Sequence, residues 1–255
     1  MKKLLAAISV LALLVPQASS AAISVGPSSI KAYAAGANQA ATVTLSTTGT
    51  NQLLLIGTYD TVGSNSVTSV TYGAQSMTKL NQQGGGTGAG FGGVNLWYLL
   101  SPVIQSGTAT VSTNSTGSTA FIALSYDGVK QTGFPDGSAT QFRSSSAANG
   151  SIDTTTTADN AWVASFLVEA ANAPTAGSGT VMRQNSASAY GAFDSGAPVT
   201  PAAKKTLNFT FNTGGGFSAV SASFAPATAA AATAASLAPV PINGGVSDSG
   251  GGMDI

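Results

Sequence analysis

Carboxylates are the side chains with which this chain of 255 residues could perform acid–base chemistry. It contains eight Asp and one Glu, Glu169, but no His and no Cys. A Ser-His-Asp or Cys-His site is therefore excluded, and no side chain has an ordinary pKa near neutrality. Zinc, copper and haem also lose their usual ligands. We predict no catalytic residues, no metal-ligating residues and no cofactor.

Glycoside hydrolysis is the reaction that carboxyl groups alone could support, because it needs two of them facing each other across a cleft. No predicted strand carries an acidic pair at positions i and i+2. A glycan-active hydrolase is therefore the least favoured of three hypotheses, and we predict that the protein is not an enzyme.

Calcium is the one ion for which the sequence offers ligands, since Ca²⁺ takes several oxygen donors. Five such residues lie in or beside predicted loops, although none of these loops has the spacing of a known calcium loop: Asp127, Asp136, Asp153, Asp159 and Asn160. A structural Ca²⁺ remains an alternative to a chain without bound ions.

Glu169 ends the apolar run 162–168, where a carboxylate needs solvent or a partner. The simple interpretation is a strand-end side chain that reaches solvent or a local hydrogen bond. The alternative is a Lys–Asn crosslink assisted by Glu169. A second pattern, the G-x-G-x-x-G of residues 88–93, precedes a predicted strand and not a helix, so it indicates a loop and no nucleotide site.

Two Gly-rich segments place aromatic residues beside an Asp, an arrangement with which proteins bind sugars. These segments supply five candidate ligand-binding residues: Phe134, Asp136, Tyr190, Phe193 and Asp194. The alternative interpretation is that the three aromatic rings cap the core. Trp97 and Trp162 are predicted to be core residues.

Short alternating runs separated by Gly, Asn, Asp and Ser predict an all-β chain. The predicted strands are 41–46, 52–59, 66–72, 94–100, 108–112, 120–126, 161–170, 206–211 and 218–224. Of these, 94–100 and 161–168 are apolar on both faces, so we expect them inside a sheet. Strand 206–211 alternates, so one of its faces is expected to be buried.

The ends of the chain differ from its middle. Residues 1–20 combine a basic start, an apolar stretch and small residues, which predicts a secretory signal peptide. Residues 21–225 are predicted to form one domain. Residues 226–255, rich in Ala, Thr, Pro and Gly, are predicted to form a low-complexity tail.

Three segments resemble a recurrent module of secreted bacterial proteins: 70–80 with VTYGAQSMTKL, 96–102 with LWYLLSP and 123–132 with ALSYDGVKQT. The resemblance covers most of residues 40–225 and implies an antiparallel, concanavalin-like jelly-roll β-sandwich with no catalytic role. Lys130 departs from the module, which commonly has an acidic residue there.

Charge completes the functional prediction. Outside residues 1–20 the chain has seven basic and nine acidic side chains, a net charge of −2, so no basic face for nucleic acid is expected. No membrane span is predicted either.

The first functional hypothesis is a secreted, extracellular or cell-surface protein with a structural or adhesive role. It self-associates through sheet edges or through residues 23–35 and 225–255. The second is a lectin-like module that binds a glycan.

Overall fold

A computed structural model describes residues 20–35, 38–46, 48–61, 66–85, 92–103, 106–114, 117–169, 173–186 and 189–228. These residues contain no helix, and every pairing between their strands is antiparallel. The predicted all-β, antiparallel class is confirmed. The described chain has no helix of the length and hydropathy that a membrane-spanning helix requires.

The described residues form fifteen strands. They are β1 (Ser24–Ala35), β2 (Asn38–Thr44), β3 (Leu53–Asp60), β4 (Val67–Tyr72), β5 (Gln75–Ser76), β6 (Thr78–Gln83), β7 (Gly93–Leu100), β8 (Ser106–Thr113), β9 (Ser118–Asp127), β10 (Gly137–Thr155), β11 (Trp162–Glu169), β12 (Thr175–Ala176), β13 (Val181–Asn185), β14 (Tyr190–Asp194) and β15 (Lys204–Phe224).

These strands form three sheets. The four-stranded sheet has the order β2-β8-β4-β5, the five-stranded sheet β1-β9-β3-β7-β6 and the six-stranded sheet β10-β15-β11-β14-β13, with β12 added to β15. Strands β7 and β11 are internal, as their apolar faces predict. The strand order agrees with a sandwich but does not establish jelly-roll connectivity.

The five-stranded sheet has a hydrophobic cluster on each face, which explains why β3 is buried along its whole length. Leu55, Leu96 and Ile122 face the six-stranded sheet and meet Phe166 and Val220. The side chains of the opposite face pack against the four-stranded sheet: Leu54, Ile56 and Phe121 with Val70 and Val111. Burial of apolar surface between these sheets is the main source of stability available to a chain without Cys.

A third cluster covers the outer face of the six-stranded sheet. Residues 206–211 and 218–224, predicted as separate strands, belong to the single strand β15, which pairs with β10 on both sides of an irregular stretch. Leu207 and Phe209 from the first part of β15 pack with Val163 and Leu167 of β11. The predicted burial of one face of 206–211 is therefore confirmed.

The two ends of the described chain meet. The backbone N of Ala21 donates to the carbonyl O of Ala227 at 2.7 Å, and Ser20 forms a β-bridge with Thr228. Most of the predicted signal peptide, residues 1–19, and most of the predicted tail, residues 229–255, lie outside the described residues.

Candidate functional site

Asp136 and Asp159 act as loop caps. The Asp136 carboxylate accepts hydrogen bonds from the backbone N of Thr157 at 2.8 Å and from the Thr157 hydroxyl. Asp159 accepts one from the backbone N of Ala202 at 2.7 Å. Short Asp side chains that bind nearby backbone donors fix turns in this way.

Asp194 is fully buried and lies between the five-stranded and six-stranded sheets. It accepts a hydrogen bond from Arg183 Nε at 2.6 Å, from the Tyr126 hydroxyl at 3.0 Å and from the backbone N of Gly196 at 2.8 Å. Burial, followed by the charge of Asp194, raises the pKa of Tyr126 well above its usual range. Burial lowers the pKa of Arg183, but the hydrogen bond and charge of Asp194 outweigh this effect and raise it. The phenol therefore stays neutral and the guanidinium charged.

The other described Asp residues also link chain segments. Gln52 Nε2 donates to Asp127 at 3.0 Å, and the Ser66 hydroxyl donates to Asp60 at 3.1 Å. Asp153 accepts bonds from Lys204 and Thr206, which lower its pKa.

No group of three or more His, Cys, Asp or Glu that could hold a metal ion occurs within the described ranges. The structural Ca²⁺ alternative stays a prediction.

Glu169 ends β11 as predicted, but only 2% of its surface is exposed, so the side chain does not reach solvent. The Lys–Asn crosslink assisted by Glu169 also stays a prediction. Trp97 and Trp162 are core residues, as expected.

Three of the five predicted ligand-binding residues lie in the interior. Tyr190, Phe193 and Asp194 belong to strand β14, which is buried along its whole length, so these three side chains are not presented at the surface. The Tyr190 ring lies 4.6 Å from that of Tyr59, and the Phe193 ring lies 5.0 Å from that of Phe209. The core interpretation of these two rings is the one observed.

Phe134 and Asp136, the other two candidates, line one cavity of about 260 Å³ together with Lys130 and Thr157. Phe134 is half-buried, and its ring centroid lies 4.5 Å from that of Tyr98. This cavity therefore combines the ring of Phe134, the carboxylate of Asp136 and the exposed ammonium group of Lys130.

A larger groove of about 380 Å³ runs between β10 and β15. Polar side chains line it, above Phe217: Gln141, Arg143, Asn149, Ser151, Asp153 and Asn208. The guanidinium of Arg143 lies 4.9 Å from the Phe217 ring centroid. The sequence gives no sign of this groove, because residues 137–155 contain one aromatic residue and no predicted strand.

Strand β2 forms one edge of the four-stranded sheet and differs from the other long edge strands. It pairs with β8 in unbroken register from Asn38 opposite Ser112 to Thr44 opposite Ser106. The edge strands β1, β6, β10 and β13 all contain register shifts. Strand β2 has no charged residue and no Pro, and its outward side chains Asn38, Ala40, Thr42 and Thr44 are exposed.

Comparisons with protein-family models, with curated proteins and with solved structures give no match for this chain.

Proposed function

We propose that this chain is a secreted, non-enzymatic structural or adhesive protein whose copies associate edge to edge through β2. The observation that supports this proposal is the seven-residue β2 edge, which lacks a charge, a Pro and a bulge. Natural sheet edges are commonly protected by these devices, because the free N–H and C=O groups of an edge strand pair readily with another strand.

A second copy of β2 suits this edge better than a charged partner does. Two antiparallel β2 strands related by a two-fold axis would present the same residues to each other, as isologous interfaces do. The exposed Thr and Ala side chains bring no like charges together in such a pair. Main-chain hydrogen bonds would then join two four-stranded sheets into one continuous sheet.

The edge is tested by paired double substitutions in the full chain. Ala40 and Thr42 lie directly opposite Thr110 and Thr108 of the internal strand β8. Ala40→Lys with Thr42→Lys places two charges on the edge, whereas Thr108→Lys with Thr110→Lys places them one strand further in. We expect the edge variant to be monomeric by light scattering and the β8 variant to retain the oligomers of the unmodified chain.

A monomeric unmodified chain at high concentration would contradict the proposal, as would an edge variant that assembles normally. Circular dichroism spectra of both variants establish that each remains folded. Secretion is tested separately by the mass of protein recovered from culture medium, which should lack residues 1–20.

A lectin-like role is the second candidate, and the cavity that contains Phe134 and Asp136 favours it. Phe134→Ala should then abolish binding to a glycan array, while Gln141→Ala, which alters the groove between β10 and β15, should leave binding unchanged. The reverse result would assign the glycan to that groove, and no binding by the unmodified chain would contradict the lectin role.

A further inference from the structure

A buried polar cluster lies between the four-stranded and five-stranded sheets. Its six members come from both sheets and from the segments next to them, and each is at most 6% exposed: Thr58, Asp60, Ser66, Asn95, Thr113 and Thr119. We call this group the polar chamber. It occupies one end of the cluster that otherwise consists of apolar side chains such as Ile56 and Phe121.

The strand register places four of these residues side by side on one face. Asn95 of β7 is directly opposite Thr58 of β3, and Thr119 of β9 is directly opposite Asp60 of β3. Side chains of directly opposite residues have their Cβ atoms about 4.5–5.5 Å apart, and residues two apart on a strand share a face. Gly93 is opposite Asp60 on the other side and contributes no side chain there.

Some of the polar side chains of the chamber form hydrogen bonds with one another or with Trp97. Trp97 Nε1 donates to the Thr58 hydroxyl at 3.3 Å, the Ser66 hydroxyl donates to Asp60 at 3.1 Å, and the Thr113 hydroxyl donates to Ser66 at 3.1 Å.

Asn95 and Thr119 are different. Among the described residues, no hydrogen-bond partner is found for the amide N or the amide O of Asn95 or for the hydroxyl of Thr119, and both residues are completely buried. Leaving a buried polar group unsatisfied is costly, and most such groups in proteins have a protein or water partner.

We propose that the polar chamber binds ordered internal water, held by Asn95 and Thr119 beside the Asp60 carboxylate. Water fits because Asn95 presents an unsatisfied donor and an unsatisfied acceptor, and one molecule can both accept and donate. A cation would satisfy acceptors alone and would leave the amide N–H groups unsatisfied. A polar site with two or more partners is the setting in which proteins retain buried water.

The substitution Asn95→Leu tests the proposal by the sign of its effect. If water is bound, Leu removes it together with its bonds to the remaining polar groups, and we expect the Tm to fall by about 2–4 °C or more. If the chamber is dry, Leu removes an unsatisfied amide, and the Tm rises. A rise would overturn the proposal.

Thr119→Val is the milder second variant, since it keeps the shape of the side chain and removes the hydroxyl. It should also lower the Tm, and an increase would contradict bound water at this position. A high-resolution crystal structure of the unmodified chain should show water within hydrogen-bond distance of Asn95. The absence of electron density for water at this position would overturn the proposal. A Tm that drops when EGTA removes calcium would also overturn it, in favour of a bound cation.

Discussion

Arg183 of β13 donates from Nε to the fully buried carboxylate of Asp194 on β14 at 2.6 Å. Tyr126 of β9 donates to the same carboxylate oxygen at 3.0 Å, so this Asp joins the five-stranded and six-stranded sheets across their shared core. A buried charge of this kind depends on its partners, because it has lost its hydration.

Arg183→Leu should therefore destabilise the protein strongly. It leaves the Asp194 carboxylate buried without its cation, and we expect a loss of about 3 kcal/mol in the free energy of unfolding. Lys204→Ala is the matched control, because its pair with Asp153 has a similar length of 2.8 Å but both side chains are about half exposed. Its loss should stay below about 1 kcal/mol. Urea unfolding measures the loss of stability in both variants, and equal losses would contradict the stabilising role of the buried Arg183–Asp194 pair.

Gly57 of β3 is predicted to tolerate no side chain, because a Cβ at this position would lie 2.1 Å from a ring atom of Phe166 on β11. Gly57→Ala should cost about 1–3 kcal/mol, the usual range for overpacking a core. Adding Phe166→Leu should recover part of the loss caused by Gly57→Ala. Thermal unfolding of the two single variants and the double variant measures this coupling. Strictly additive losses would show that the two positions do not interact.

Alternation and apolar runs predicted much of this fold, including part of the edge strand β2, but did not predict the edge strands β1, β6, β10 and β13. Strands β3, β7, β9 and β11 were predicted within a few residues, because burial on both faces requires continuous apolar sequence. Strand β1 is largely half-exposed, with Ser, Pro and Lys among its residues, so its pairing with β9 decides its structure more than its own sequence does.

The candidate site was harder to predict, because the same residues serve a core and a binding surface. The segment with Tyr190 and Phe193 contains Gly191, which suggested a loop. In the folded chain a Cβ at Gly191 would lie 2.8 Å from the Phe193 ring, so this Gly provides close packing within a strand. Only the folded structure reveals that role, and the same holds for Asn95, whose surroundings come from segments distant in the sequence.

Alkaline pH should destabilise the fold, while the range from pH 5 to 9 should have little effect in a chain without His. Burial is the main cause of the raised pKa values of Tyr33, Tyr59 and Tyr126. The fold therefore favours their neutral form, and this contribution is complete below the unfolded pKa of about 10 and is lost as pH rises beyond it. Chemical denaturation at several pH values measures this loss, which Tyr126→Phe should reduce because it removes one of these buried phenols.

The folded unit should extend beyond Ala225, the last residue of the predicted domain. Ala227 is 7% exposed, and its backbone N donates to the Gly128 carbonyl O at 2.7 Å while its own carbonyl accepts from Ala21. A chain that stops after Ala225 loses these bonds, so it should be about 1–3 kcal/mol less stable than one that stops after Thr228. Equal unfolding midpoints of the two truncated proteins in urea would contradict this prediction. If the chain that stops after Thr228 still forms oligomers, residues 229–255 are not required for assembly, and the β2 edge becomes the first place to look for the contact.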